Sequence, residues 1–249
     1  LEKVVNNDDN PQAKLDAARI LVNAGKTQYE KYLLLEKLRS RDDAEIVSAA
    51  KSLIEIGDKR LAPAMGRLVQ HSSPQVRAAG LEALKHFGLY PQMAELLKDD
   101  KLNRDASVPM AQILANDARG QEQSSGIIWL LSNGDRAEAK AAAGVAGDKR
   151  VAGTTEALGA TLKRTEPEVR AAAADALARL RDPAGLEFLA DALGATSNEK
   201  EQQMLSERAI AILAVQPLSQ VLQIAESPDV TIRELTVKAL AEFVKDGYN

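Results

Sequence analysis

His71 and His86 are the only histidines in this chain, and there is no cysteine. A metal centre needs several converging donors. Neither histidine is followed by glutamate, and each reads as a residue at a helix end, with His71 exposed, so no metal and no cofactor are expected. The lack of cysteine excludes disulfides and thiol chemistry. No strand-turn-helix of the GxSxG kind is present to carry a serine nucleophile. Gly144 and Gly147 flank what reads as a helix end, which is not the strand-to-helix turn of a phosphate-binding loop. The carboxylate pairs Asp42-Asp43 and Asp99-Asp100 could in principle share acid–base work, but they stand where helices start or loops run, and capping is the reading adopted.

Four cations remain. Lys14, Arg77, Arg170 and Arg233 each follow an apolar residue that opens a helical stripe. Two readings are open: a basic ladder for an anionic ligand, or side chains whose stems cover neighbours while their heads meet acids such as Glu82 or Asp175. The structural reading is favoured.

The elements that must position these residues are clearest from Glu166 to Gly194. Pro167 suits a first helical position. Val169, Ala173, Ala176, Leu177 and Leu180 recur at the spacing of one helical face. Arg181-Asp182-Pro183 reads as a stop and restart, with Asp182 as N-cap and Pro183 at the next first position. Leu186, Leu189 and Leu193 give the second helix its stripe. Two helices this short cannot bury their apolar faces alone, so copies on either side are required. The copies are there. Anchors at Ala13, Ile46, Val76, Ala106, Ala137, Val169, Leu205 and Ile232 recur about every 31 residues. The residues equivalent to Ala173 are Ala17, Ala50, Gly80, Ala141 and Ala209, all small. They are expected where neighbouring copies touch.

Composition agrees with thin layers between closely spaced helices: 45% apolar residues but only 3% aromatic. No run approaches the ~20 apolar residues of a membrane span. A net charge of −4 speaks against nucleic acid as the main ligand, which would need a concentrated basic face. Leu1 to Val5 reads as the last turn of a preceding second helix. Residues 1–249 are therefore taken as one repeat domain, a fragment of a longer protein, with the cytoplasm favoured over the periplasm.

Along the chain, Asn10-Pro11 should start the first helix and Gly25 end it. Gly57-Asp58-Lys59-Arg60 recurs as Gly147-Asp148-Lys149-Arg150; in both, Gly should end one helix and Asp cap the next. Ser73-Pro74 and Ser227-Pro228 should open further copies. Pro109 should kink or restart its helix. Asp117 to Ser125 reads as a polar loop, and Asn198 to Gln203 as a lengthened approach to the seventh copy.

PEVRAAAADAL followed by RDPAGLEFLADAL, supported by SPQVRAAGLEAL and the two GDKR turns, resembles the short HEAT-like repeat of bacterial proteins, the type also found in phycobilin lyases. The resemblance implies an all-α solenoid, a right-handed superhelix of about eight helix pairs, with second helices lining the concave side. One group of HEAT-repeat hydroxylases holds iron with His-Glu pairs, and this sequence has none. HEAT-like DNA glycosylases use a strongly basic, aromatic concave face, which the acidic balance here does not match. The reading that follows is a non-catalytic scaffold that binds another protein or peptide, with no nucleic acid and no membrane insertion. The alternatives are an accessory or lyase-type enzyme of the phycobilin-lyase class, or a regulatory segment of a larger transporter or signalling protein.

For the partner-binding residues, Trp129 is the single tryptophan. On a helix it projects away from Ile127, Leu130 and Leu131. Arg67, Glu95 and Gln220 hold the same place before the apolar pair of other second helices. These four are the expected partner row; the alternative for Trp129 is that the Asp117–Ser125 loop folds over it and makes it a buried, structural residue. A fold of this kind should show roughly two thirds or more helical residues and no sheet, in about fifteen or sixteen helices. Far-ultraviolet circular dichroism checks this, and substantial strand content would contradict it.

Overall fold

The computed structural model describes residues 1–99 and 102–245. It is 77% helix, with sixteen α-helices and no strand among the described residues. Asp100, one half of an expected capping pair, lies outside the described residues.

The chain forms two compact units, Leu1–Ala106 and Ser107–Asn249. The first contains α1 (Glu2–Asn7), α2 (Pro11–Asn23), α3 (Glu30–Lys37), α4 (Asp43–Ile56), α5 (Ala62–Gly66), α6 (Pro74–His86) and α7 (Tyr90–Leu96). The second contains α8 (Ser107–Asp117), α9 (Gln121–Asn133), α10 (Arg136–Lys149), α11 (Thr155–Thr161), α12 (Pro167–Leu180), α13 (Gly185–Ala195), α14 (Glu199–Leu213), α15 (Leu218–Ile224) and α16 (Val230–Lys245). Even-numbered helices are the first helices of each pair and odd-numbered ones the second.

Within the second unit α8, α10, α12, α14 and α16 pack in succession, and α9, α11 and α13 form a second row. A continuous core runs between the rows from Ala111 to Ala239. In the first unit α4 packs on α6, and smaller clusters lie around Val5, Leu34 and Ile46.

Local sequence explains most helix ends. The Asn10 side chain accepts the Gln12 and Ala13 amides and Pro11 follows, so α2 starts there. Gly25 and Gly57 adopt left-handed φ values of 83° and 71°, which glycine takes without penalty. Asp135 and Glu138 form a reciprocal capping box at the start of α10. Pro109 sits in the first turn of α8, directly after a 3-10 turn at Arg104–Ala106, so it restarts the helix.

Several boundaries differ from expectation, each for a physical reason. The polar loop shrinks to Ala118–Gly120. Gly120 turns the chain with φ 62°, the Gln123 side chain donates to the Ala115 carbonyl, and Gln121–Ser125 become the opening turns of α9. Asn198 caps α14 by accepting the Glu201 amide, so Glu199–Gln203 extend a helix and are no connection. Asp182 does not cap α13 directly. It accepts the Ala184 amide in a turn and takes the Thr155 hydroxyl at 2.7 Å, and the helix begins at Gly185. Ser227 is likewise not the capping side chain of the last helix; Asp229 accepts the Ile232 amide.

The second GDKR copy departs most. Gly147 does not end α10; it lies inside the helix, and the stop passes to Arg150, which is left-handed at φ 49°. The reason is interhelical. A Cβ on Gly147 would come within 2.8 Å of the Ala176 Cα, so glycine here lets α10 and α12 touch backbone to backbone. Asp148, released from capping, pairs with Arg179.

The repeat register also shifts in the two irregular copies. Ala137 is exposed and Ala141 only half-buried, while Ala139, Ala143, Ala146 and Gly147 form the buried stripe, so the anchor is Ala139. In α8 the stripe is Ser107, Ala111, Leu114 and Ala115, one residue beyond the expected Ala106. An all-alanine helix carries no large side chain to mark its inner face, and only packing decides it. Ala173, Ala17, Ala50, Gly80 and Ala209 are buried as expected.

Two glycines of α10 therefore predict opposite outcomes for one substitution. Gly144 has open space where a Cβ would stand, so Gly144→Ala should raise stability by about 0.5–1 kcal/mol through helix propensity. Gly147→Ala meets Ala176 backbone and should lower it by roughly 1–3 kcal/mol through overpacking. Urea denaturation midpoints of the two variants provide the comparison, and equal shifts would contradict the packing described.

Candidate functional site

The recurring arginines resolve first. Arg77, Arg170 and Arg233 each send one guanidinium nitrogen back to two carbonyls of the loop before their own helix. Arg77 Nη1 donates to His71 O and Ser72 O at 2.9 and 2.7 Å. Arg170 Nη1 donates to Arg164 O and Thr165 O, both at 2.9 Å. Arg233 Nη1 donates to Ser227 O and Pro228 O at 2.8 and 2.9 Å. The other side of the fork reaches forward. Arg77 Nη2 meets Asp105 at 2.9 Å, and Arg170 holds Glu201 through Nε and Nη2 at 2.6 and 3.1 Å.

The guanidinium thus joins a loop to an acid of the next copy. Its planar fork is what makes this possible, and a lysine ammonium would not reproduce it. The expected acids Glu82 and Asp175 are not the partners; Asp175 pairs with Arg208. The forward acids sit one repeat on, a separation that a search within one helix does not cover. Lys14 holds the same position and makes no side-chain bond or ion pair among the described residues.

The expected partner row is distributed over both units. Arg67 and Glu95 are exposed in the first, Glu95 paired with Lys98 at 2.7 Å. Arg67 separates two grooves, of about 460 and 420 Å³. Trp129 and Gln220 are half-buried in the second unit. Trp129 lies against the core, its neighbours Ile127, Leu130 and Leu131 fully buried, and its carbonyl accepts the Asn133 side-chain Nδ2. No long loop is present to fold over it, since residues 121–125 are helix.

A further aromatic belongs to this row. Phe188 precedes the buried pair Leu189-Ala190 in α13, just as Trp129 precedes Leu130-Leu131 in α9, and it too is half-buried. That register is visible in the sequence, although a stripe read as Leu186, Leu189 and Leu193 passes over it. Between α9 and α13 lies α11, where the equivalent residue is Ala157. Gly159 leaves the space that the Phe188 ring fills: a Cβ there would stand 2.3 Å from the ring. Phe188, Gly159 and Leu162 line a groove of about 480 Å³ bounded on its polar side by Arg170 and Glu201.

His71 is half-buried, where exposure was expected, and its Nδ1 accepts the Ser73 amide. His86 is exposed at the end of α6 with its ring edge-on to Phe87. Among the described residues no three His, Cys, Asp or Glu side chains gather as a metal-binding group. No helix among them is long and apolar enough to cross a membrane.

A family model described as HEAT repeats matches residues 32–109 and 124–211. Among solved structures the chain is similar to human deoxyhypusine hydroxylase in complex with glycerol, at 17% identity and TM-score 0.37 over 96% of this chain and 82% of that one. It is also similar to two engineered proteins: one at 25% identity and TM-score 0.38, over 86% of this chain and 98% of that one, the other at 20% and 0.34, over 96% and 77%. None of the curated proteins matches the chain.

The arginine fork has a measurable consequence. The Arg170 hydrogen bond, opposed in part by burial and aided by the Thr196 hydroxyl, holds Glu201 below its ordinary 4.5. A depressed carboxylate contributes stability that is present above its unfolded pKa and is lost as pH falls through its folded one. Arg170→Met should cost about 1–3 kcal/mol near neutrality, the range for bonds to charged groups. Its melting temperature should also fall less steeply than the wild type's as pH drops below about 4.5. Parallel acid profiles for the two proteins would show that the fork contributes nothing.

Proposed function

The chain belongs to the HEAT-repeat family, and from that premise we propose that it is a non-catalytic scaffold that binds another protein through its second helices. The observation that carries this reading is the pair Trp129 and Phe188. Two large aromatics stand in one register on alternate second helices, half-exposed, with small residues on α11 between them. Aromatics are scarce in this chain, and a well-packed tryptophan at a surface is a frequent anchor of binding energy. Gln220 holds the same register on α15 as a polar position, and Arg67 and Glu95 hold the corresponding register in the first unit. Such a surface recognises by shape and by a few anchors, while the core behind it is set by the repeats.

The test begins with cross-linking in extract of the native host, using the full-length protein, and identification of the captured partner. The purified partner is then titrated against wild type, Trp129→Ala and Phe188→Ala. Each variant should bind about tenfold or more weakly with unchanged helicity, the loss expected for an anchor residue. Trp129 emission, which comes from the single tryptophan, should be partly accessible to an aqueous quencher in the free protein and protected in the complex. Equal affinity for wild type and both variants would remove the site. A red-shifted absorbance on mixing the protein with bilin would replace the scaffold by a lyase-type enzyme.

A further inference from the structure

Lys14, which holds the fork position without forming a fork, lines a groove in the first unit. This groove of about 460 Å³ runs between the start of α2, the length of α3 and the 3-10 turn Arg67–Gln70 that extends α5. Its apolar lining includes Leu15, Tyr32, Leu35 and Leu68. Its charged lining is Lys14, Arg39, Arg67 and Glu36, with His71 beside them. Arg39 and Glu36 pair with each other at 3.3 Å and largely cancel. Lys14 and Arg67 make no ion pair among the described residues. His71 has its Nδ1 occupied by the Ser73 amide, which leaves Nε2 to donate.

We propose that this groove binds an acidic, amphipathic peptide segment of a partner protein, whose carboxylates meet Lys14 and Arg67 and whose apolar residues lie on Leu15, Leu35 and Leu68. The argument is charge complementarity against the trend of the whole molecule. The chain carries net charge −4, yet this groove holds two uncompensated cations and a further donor above an apolar floor. The arginines at the equivalent position are consumed: Arg77 and Arg170 are tied to loop carbonyls and acids, and Arg233 to loop carbonyls. Lys14 stands at the same repeat position without that attachment, because an ammonium cannot span two carbonyls and a forward carboxylate as the guanidinium fork does. A nucleic-acid strand would want a longer row of cations and stacking aromatics. Here one tyrosine and a largely aliphatic floor favour a peptide that is apolar on one side and anionic on the other. The site is separate from the Trp129–Phe188 surface, so either can fail without the other.

The experiment is fluorescence anisotropy on the full chain with a labelled twelve-residue peptide alternating Glu with Leu and Ala. The control peptide has Gln at every Glu. The acidic peptide should bind saturably and the Gln peptide at least tenfold more weakly, a difference built from several exposed ion pairs. Binding should weaken as salt is raised, since exposed charges are screened. Lys14→Gln and Arg67→Gln should each lower affinity roughly up to fivefold, the upper end for one exposed ion pair. Both residues lie outside the core, and circular dichroism with thermal melting confirms that the variants fold. Trp129→Ala should bind the acidic peptide as wild type does. Equal binding of the acidic and Gln peptides, unchanged affinity in the folded double variant Lys14→Gln/Arg67→Gln, or tighter binding of a single-stranded oligonucleotide than of the acidic peptide would each overturn the proposal.

Discussion

The second unit depends on how closely consecutive first helices approach. A pair of helices fourteen and eleven residues long, such as α12 and α13, has too little apolar surface to stand alone. Its burial comes from the next pair, and the interface between pairs is made of Ala and Gly. At Gly147 and Ala176 the approach is so close that backbone meets backbone. Small residues give little area each, but they let helices touch along their length and gain dispersion contacts that a larger side chain would prevent. This is why a chain with 3% aromatic residues can still bury a continuous core from Ala111 to Ala239.

Close packing of identical stripes does not by itself define how loops and neighbours are held, and the arginine forks add that. Each guanidinium satisfies two carbonyls at the turn before its helix, groups that would otherwise lack partners near a half-buried surface. In Arg77 and Arg170 the same side chain reaches an acid of the following copy. One residue type at one repeat position therefore joins turn, helix and neighbour. Its use in structure also explains why the arginines do not form a free basic ladder, and why Lys14 at the same repeat position has a different fate.

With the first helices committed to packing and the arginines to joining copies, the second helices are left to vary. Most are short, α5 continues as a 3-10 turn, and the residue before each apolar pair ranges over Arg67, Glu95, Trp129, Phe188 and Gln220. Variation at a fixed geometric position is how a repeat array acquires specificity without altering its core. Here the variation places large aromatics at this position in the second unit and the charged residues Arg67 and Glu95 in the first.

How much of this was legible in the sequence follows from what each signal is made of. Helix type, repeat length, the small-residue contact at Ala173 and the caps at Asn10, Gly25 and Gly57 depend on local chemistry: apolar spacing, a side-chain oxygen near a helix start, glycine where φ must be positive. Those are properties of residues within a few positions of each other, and the order of residues alone determines them. The tertiary structure decided the rest. The inner face of the Ala-rich helix α10 could not be read, because alanine marks no face until a neighbour packs on it, and the anchor moved to Ala139. Gly147 looks in sequence like the terminating Gly57, and only the approach of α12 keeps it inside its helix. The acids of the arginine forks and the match of Gly159 to Phe188 join residues about one repeat apart. Contacts at that distance exist only once the copies have stacked, and it is the stacking that chooses them.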